Sequence, residues 1–208
     1  EIDAQRAALL ADAFPGLTIM RHDGATIHDA LRQRVSVVLM NPPYSKSAGI
    51  GDDAYAGARH LRAALLALGE GGRCVAIMPS WFSPDGSGAA GYHAVTKIVQ
   101  PCFDLLCDGS FYARHGTGIA VRILVFDNGR DGPTIRLSAT SLDVALDLTS
   151  QIPPRLPCEV VPTTLPARLI TKPMIGETTA CLLRGKALKA VANTVGIMPP
   201  PMKPCSAR

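Results

Sequence analysis

Residues 37–45 read VVLMNPPYS, and this stretch carries most of the information about the fold. Its four apolar residues, two of them β-branched, predict a buried strand that ends at Met40. The strand runs directly into Asn41, two prolines and Tyr44. One proline is enough to end a strand, so the second proline and the aromatic ring need another explanation.

The segments on either side alternate between helix and strand patterns. Leu and Ala recur at helical spacing in residues 53–68, and residues 4–13 are rich in the same helix formers. A further helix is predicted at 91–100, and a short helix or turn at 26–34. The glycines at 69–72 are expected to end the second long helix. Apolar runs rich in β-branched residues predict strands at 17–20, 35–40, 73–79, 103–109 and 119–127.

Apolar strands that alternate with helices are typical of a mainly parallel sheet covered on both faces. We therefore predict a Rossmann-like α/β fold over residues 1–130, whose last two strands form an antiparallel hairpin at the sheet edge. Residues 131–208 are predicted to be a C-terminal extension that is partly extended and rich in proline. Within it, residues 134–150 predict a strand and a short helix, and residues 178–196 predict a last helix.

The composition excludes several classes of protein. With 47% hydrophobic and 18% charged residues, the chain is globular rather than disordered. No apolar run reaches the ~18 residues of a membrane span and no secretory signal is recognisable, so we expect a soluble, cytoplasmic protein. The formal net charge of +4 permits a nucleic-acid partner without requiring one. The histidines and cysteines lack metal-ligand spacing, so no metal is expected.

The residues that follow the strand at 35–40 are suited to activating an amino group. Ligands of open α/β sheets bind at the carboxyl ends of the strands, where Asn41 and its neighbours lie. The exocyclic amino group of a base is a poor nucleophile, because its lone pair is delocalised into the ring. The Asn41 side chain and the Pro42 carbonyl can accept hydrogen bonds from that group, on a backbone stiffened by proline. Tyr44 offers a ring for stacking. The structural alternative is a strand-ending turn with an incidental aromatic residue.

The stretch Asn41-Pro42-Pro43-Tyr44 resembles the catalytic motif, (Asn/Asp)-Pro-Pro-(Tyr/Phe/Trp), of class I S-adenosylmethionine-dependent amino-methyltransferases. GGRCVAIMP and FYARHGTGIAVRILVFD resemble a strand and a late hairpin of the branch that methylates N6 of adenine in DNA. Within that branch, NPPYS and HGTGIAVRILVFD look most like the methylase domains fused to strawberry-notch-type helicases. The resemblance covers residues 1–128. It implies methyl transfer to an amino group, with the four motif residues as the catalytic residues.

The same resemblance implies where the cofactor, S-adenosylmethionine, binds. EID at residues 1–3 matches the acidic ligand of the ribose hydroxyls in the family, which assigns that role to Glu1. RHDG matches the adenine contact, which assigns it to Asp23 and Gly24. The glycine-rich loop of the family, of the Phe-x-Gly-x-Gly type, comes before these segments and is not found. We therefore expect an N-terminally truncated piece of a longer polypeptide that includes a helicase-like region.

Six further residues are candidates for substrate binding because of their positions. Ser45 and Lys46 follow the motif, Trp81 and Phe82 follow the strand at 73–79, and Arg114 and His115 lie in the late hairpin. The alternative for Lys46 is a solvated loop lysine rather than a phosphate contact. Trp81 and Phe82 either line a base pocket or pack under a loop. The hairpin pair either approaches nucleic acid or forms an exposed charged tip.

Three interpretations of function stay open. The favoured one is methylation of N6 of adenine, with DNA as the partner. RNA or a protein glutamine is an alternative acceptor, because the same motif serves a side-chain amide. The third is a truncated, non-catalytic methyltransferase-like module, because the glycine-rich loop is not found.

Overall fold

The computed structural model describes residues 1–47, 51–115 and 118–158. The helices are α1 (Ala4–Ala13), α2 (Ile27–Ala30), α3 (Ala56–Ala67), α4 (Ala89–Thr96) and α5 (Leu142–Leu148). The strands are β1 (Val35–Met40), β2 (Lys46–Ser47), β3 (Gly51–Asp52), β4 (Leu68–Pro79), β5 (Pro101–Cys107), β6 (Val121–Asp127) and β7 (Ile135–Ala139). Short 3₁₀ helices cover Gly24–Thr26, Gly109–His115 and Thr149–Gln151. Within these described ranges, no helix has the length and apolar character that crossing a membrane requires.

Five strands form one sheet in the order β1-β4-β6-β5-β7, and β2 pairs separately with β3. β1 is parallel to β4 and β7 is parallel to β5, whereas β6 is antiparallel to both β4 and β5. Every strand of the sheet except β6 therefore points in the same direction. This confirms the predicted α/β fold with a mainly parallel sheet and a late antiparallel hairpin.

The predicted place of that hairpin, at the sheet edge, is wrong. β6 lies between β4 and β5, and the outer side of β5 is occupied by β7. β5 is buried along nearly its whole length, so its outer backbone groups need a neighbouring strand. Residues 135–139, which lie beyond the predicted boundary at 130, form that strand.

The strand predicted at 17–20 is also wrong, since these residues have no regular structure. Glu1 lies beside the end of the segment, where its backbone nitrogen donates to Met20 O (3.2 Å) and its carbonyl accepts from His22 N (3.1 Å). Two hydrogen bonds do not extend into a ladder, and Leu17 stays 62% exposed. Among the described residues, Leu17, Ile19 and Met20 therefore have no sheet against which to be buried.

The other predicted elements agree with the structure, apart from their ends. The helix at 4–13 and the strand at 35–40 are confirmed with the predicted bounds, and 134–150 contains β7 and α5. The glycines at 69–72 begin β4 instead of ending the helix. Gly71 adopts φ +66°, and a Cβ there would lie 2.1 Å from Pro157 O, so only glycine fits beneath the crossing chain. The helix predicted at 178–196 lies outside the described residues.

Each face of the sheet carries an apolar cluster, because side chains alternate along the strands. On one face, Ala76 and Met78 of β4 and Leu124 of β6 pack against α3 and α4, and we call this the α3–α4 cluster. On the other face, Phe103 and Leu105 of β5 pack with α5, and we call this the α5 cluster. The sheet is therefore the middle layer between helices.

Among the described residues, β1 is an edge strand whose one partner is β4. Val38 and Met40 pack against the α3–α4 cluster. The alternate residues Val37 and Leu39 are 49% and 56% exposed, so one face of this strand is open. The Asn-Pro-Pro-Tyr motif therefore follows a strand that is anchored on one face and on one edge.

Two buried aspartates bind arginine side chains near opposite ends of β6. Near its start, Arg122 donates to both carboxylate oxygens of Asp104, at 2.8 and 2.8 Å. At its end, Asp127 accepts from Arg73 at 2.6 and 2.7 Å and from Arg130 at 2.8 Å. Burial disfavours the charge of Asp127, but the hydrogen bonds from Arg73 and Arg130 outweigh it and hold its pKa below the ordinary value.

We predict that Asp127→Asn lowers the free energy of unfolding by about 3 kcal/mol, because it removes the buried anion that two arginines share. Urea unfolding followed by circular dichroism measures the change. The matched control is Asp131→Asn at an exposed position, which is expected to stay within about 0.5 kcal/mol of the wild type. Equal effects of the two substitutions would contradict a stabilising role for this ion cluster.

Candidate functional site

The motif residues Asn41 to Tyr44 lie directly after β1, at the carboxyl end of a strand that is parallel to β4. Pro42 is buried and Asn41 is half-buried. Within the described part of the chain, no hydrogen bond engages the Asn41 side chain or the Pro42 carbonyl. Both oxygens are therefore available to accept hydrogen bonds from a ligand at this end of the sheet.

Helix α3 packs closely against the two prolines of the motif. A Cβ at Gly57 would lie 3.4 Å from the carbonyl oxygen of Pro43 and 4.0 Å from Cγ of Pro42. The same Cβ would lie 3.2 Å from the methyl group of Met78, near the end of β4. Gly57 therefore lets the helix, the motif and the neighbouring strand meet at one point.

The loop after the motif is tied to the start of α3 by Asp53. The Asp53 backbone nitrogen donates to Ser45 O at 2.8 Å. Its carboxylate, which is buried, accepts from Tyr55 N at 2.9 Å and forms an ion pair with Arg59. Asp53 therefore fixes the loop ahead of α3, whose N-cap residue is Tyr55.

A cavity of about 270 Å³ lies beside the motif, between the first turns of α3 and α4 and the end of β4. Its walls combine three aromatic rings, one methionine, two hydroxyls and several residues without a bulky side chain: Tyr55, Trp81, Phe82, Met78, Ser45, Ser87, Ala54, Gly57, Ala58, Gly88 and Gly91. Glycines on both helices leave the space open, since a Cβ at Gly91 would lie 3.0 Å from Cβ of Ala58. The cavity can accept a small, largely apolar group.

The structure brings three of the predicted substrate-binding residues together in this cavity, namely Ser45, Trp81 and Phe82. Tyr44, predicted to stack on the substrate, is not among the lining residues. Its ring packs against the α5 cluster, on the other face of the sheet from Phe82. The aromatic wall next to the motif contains Tyr55, which is 54% exposed, and not Tyr44.

Trp81 is held by a tight loop after β4. Its carbonyl oxygen accepts from Ser83 N at 3.1 Å and from Gly88 N at 3.0 Å. A Cβ at Gly88 would lie 2.7 Å from Cε3 of the indole, so the loop backbone packs directly on the ring. The neighbouring Phe82 is 2% exposed and meets Tyr92 edge to face, with ring centroids 5.6 Å apart. Phe82 therefore belongs to the core as well as to the cavity wall.

The predicted cofactor residues Glu1 and Asp23 lie in neighbouring segments, because the Glu1 backbone pairs with Met20 and His22. Glu1 Oε1 accepts from the backbone nitrogens of Ile2 and Asp3, both at 3.0 Å. Asp23 Oδ1 accepts from Ala25 N at 2.9 Å and starts the 3₁₀ helix. The described residues provide no hydrogen bond to the second carboxylate oxygen of either side chain. These oxygens can accept from hydroxyl or amino donors, so the pair fits a ribose or adenine ligand.

His60 of α3 connects this region with the motif. A Cβ at Gly24 would lie 2.7 Å from Nδ1 of His60, so the predicted cofactor residue Gly24 packs on the imidazole. Nε2 of His60 lies 4.0 Å from Oδ1 of Asp23. Gly57, which faces the prolines, is one turn earlier on the same helix. One side of α3 therefore supports both halves of the predicted site.

The side chains of the other predicted substrate-binding residues, Lys46, Arg114 and His115, lie outside what the structure describes. Among the described residues, no group of three His, Cys, Asp or Glu side chains could hold a metal ion.

Sequence reasoning missed the contribution of α3 to the site. Gly57, His60 and Tyr55 all face the motif, the cavity or Asp23. The available signal was Gly57 itself, because a glycine inside an Ala- and Leu-rich helix weakens the helix and indicates a close contact. Neither His60 nor Tyr55 carries a comparable local signal.

Comparison with known proteins gives limited information. The sequence matches no family model, and no curated protein matches it. One similar solved structure is a chain of a type I R-M system, with TM-score 0.46 and 17% identity over 62% of this chain and 28% of that chain. Another is a modification subunit of a putative type I restriction enzyme from Vibrio vulnificus YJ016, with TM-score 0.44 and 17% identity over 65% of this chain and 36% of that chain. The chain thus spans a minor part of each, and at these scores neither likeness carries an argument about function.

We predict that His60 makes the folded state sensitive to mild acid. Burial lowers the pKa of His60 below its ordinary 6.5, and the nearby Arg59 adds to this, against the opposing effects of Asp23 and Asp53. The unfolded chain then binds a proton at a higher pH than the folded chain. The contribution of His60 to stability is therefore complete above pH 6.5 and is lost as the pH falls through 6.5 toward the folded pKa.

Urea unfolding at about pH 7.5 and about pH 5.5 measures this contribution. His60→Gln keeps a polar side chain but does not titrate, so its stability should fall less between the two pH values than that of the wild type. An unchanged pH dependence in His60→Gln would show that the histidine does not contribute.

Proposed function

We propose that this chain carries the acceptor half of an S-adenosylmethionine-dependent methyltransferase that acts on an exocyclic amino group, N6 of adenine in DNA. The observation that carries the proposal is the pair of unengaged acceptors, the Asn41 side chain and the Pro42 carbonyl, after a core-anchored strand and beside a cavity with aromatic walls. Two neighbouring acceptors without a partner among the described residues suit the activation of an amino group better than they suit a simple turn.

The protein has to orient and activate the amino group for the reaction. When bound, S-adenosylmethionine supplies an electrophilic methyl group. Asn41 Oδ1 and Pro42 O accept the two N–H hydrogens of the amino group, which draws the nitrogen lone pair out of the ring and towards the methyl carbon. The N–C bond would form as the S–CH3 bond of the sulfonium breaks, with its electron pair left on sulfur as a neutral thioether, and the positive nitrogen would then release one of these protons to solvent. Rigid acceptors contribute because their orientation is fixed before the reaction.

The packing around the motif supports this role for its residues. Pro42 is buried, and the carbonyl oxygen of the exposed Pro43 lies close to Gly57 of α3, so the backbone of the motif is held against this helix. Glu1, Asp23 and Gly24 are proposed to hold the ribose and adenine of the cofactor. Ser45, Trp81 and Phe82 are proposed to contact the acceptor base, and Lys46, Arg114 and His115 to approach the nucleic acid.

DNA is proposed as the acceptor because the late hairpin resembles the adenine-N6 branch and the chain is mildly basic, with a formal charge of +4. RNA and protein glutamine are the alternative acceptors. A cytoplasmic location and a larger polypeptide with a helicase-like region are parts of the same proposal.

The direct test of the site is Asn41→Ala. Loss of one of the two acceptors is expected to reduce methyl transfer from radiolabelled S-adenosylmethionine to DNA by about a hundredfold or more. The matched control is Gln33→Ala, which removes an exposed amide just before the opposite end of β1 and should keep full activity. Equal activity of the two variants would exclude Asn41 as an acceptor.

Parallel incubations with DNA, RNA and a protein extract identify the acceptor. Label in N6-methyladenine of DNA supports the proposal, whereas label only in RNA or only in protein assigns one of the alternatives.

Calorimetry with S-adenosylmethionine separates a catalytic domain from a non-catalytic module. Absence of both binding and transfer would favour the module.

A further inference from the structure

Arg122 joins three strands at the end of the sheet where the candidate site lies. It stands opposite Met78 of β4 and opposite Leu106 of β5. Its Nη1 donates to both oxygens of Asp104, which is 0% exposed, and Arg136 stands 3.9 Å from the same carboxylate. The carboxylate therefore fixes the direction of the guanidinium.

Arg122 also contacts the loop that follows β4, outside the sheet. Its Nε donates to the carbonyl oxygen of Ser80 at 3.0 Å. Ser80 also donates its backbone nitrogen to Ala120 O at 3.0 Å, so both ends of this residue are held by the β6 side of the hairpin. Ser80 is the first residue after β4 and the last residue before Trp81.

The direction of the loop after β4 therefore depends on a buried ion pair. Trp81 and Phe82, which form part of the cavity wall, follow Ser80 directly, and the loop returns at Gly88 to pack on the indole. A change in the Ser80 peptide would alter the angle at which Trp81 enters the cavity. The hydrogen bond from Ser80 N to Ala120 O joins two backbone groups, whereas the bond from Arg122 depends on its side chain.

The second arginine–aspartate cluster provides an internal comparison. The buried Asp127 and the half-buried Arg73 are likewise connected by two hydrogen bonds, but near the opposite end of β4 and β6. The additional bond of Arg73 goes to Pro153 O at 2.7 Å, in the segment that crosses the far end of the sheet. The two clusters are similar in chemistry, and only one of them reaches the candidate site.

We propose that Arg122, held by Asp104, is a positioning residue: through Ser80 O it sets the loop that carries Trp81 and thereby shapes the cavity that Ser45 and Trp81 line. The inference rests on the proposed function only in treating this cavity as the acceptor pocket. The mechanical connection from Asp104 to Trp81 does not depend on which ligand the cavity takes.

Trp81 is the single tryptophan of the chain, so intrinsic fluorescence reports directly on the loop. The informative variant is the double substitution Asp104→Leu with Arg122→Met. It removes the Ser80 hydrogen bond without leaving a buried charge that lacks a partner, so the stability should be largely retained. We expect a red-shifted emission and a rise of about twofold in the acrylamide quenching constant, because the loop opens locally while the fold persists.

The matched control is Arg73→Met, which weakens the distant cluster. It should lower the midpoint of urea unfolding but leave Trp81 emission and quenching in the folded state unchanged. Circular dichroism in the same buffer verifies that each variant is folded during the fluorescence measurement.

Two results would overturn the inference. One is wild-type quenching of Trp81 in the folded double variant, and the other is an equal change in Arg73→Met. Neither result depends on methyl transfer, so a failure of the proposed function and a failure of this inference are distinguishable.

Discussion

The pairing of β6 with both β4 and β5 organises the whole sheet, because the two parts of the sheet are hydrogen-bonded to each other through this strand. Its antiparallel insertion joins the half of the sheet that carries the motif to the half covered by α5. The buried clusters around Asp104 and Asp127 lie near its two ends and bind strands from both sides. Removing one partner of either cluster would leave an uncompensated charge in the core, so both clusters favour this pairing of the strands.

The candidate site follows from this arrangement. β4 and β1 are parallel, so their carboxyl ends meet, and the residues that follow each strand face a common space. Helix α3 closes this space because Gly57 permits contact with the two prolines and His60 supports Gly24. Acceptor groups, cavity and predicted cofactor residues are therefore arranged along one helix, although they come from distant parts of the sequence.

Local sequence patterns predicted the bounds of an element correctly where its own residues favour its conformation. The helix at 4–13 and the strand at 35–40 have the predicted bounds because their residues favour those conformations strongly. The prediction of a strand at 17–20 is wrong because this short segment is hydrogen-bonded to the backbone of Glu1 and not to a strand of the sheet. The prediction that the hairpin lies at the sheet edge is wrong because the sequence of β5 does not show whether it has one neighbouring strand or two.

The sequence by itself determined the mainly parallel α/β class and the motif that follows β1, since both depend on short-range pattern and on the rigidity of proline. Which aromatic residues share the cavity depends on tertiary contacts. These contacts turned Tyr44 toward the α5 cluster and set Tyr55 and Trp81 beside the motif. The reason is physical: the face to which a side chain turns depends on pairing and on helix contacts between residues far apart in the chain, which no local pattern encodes.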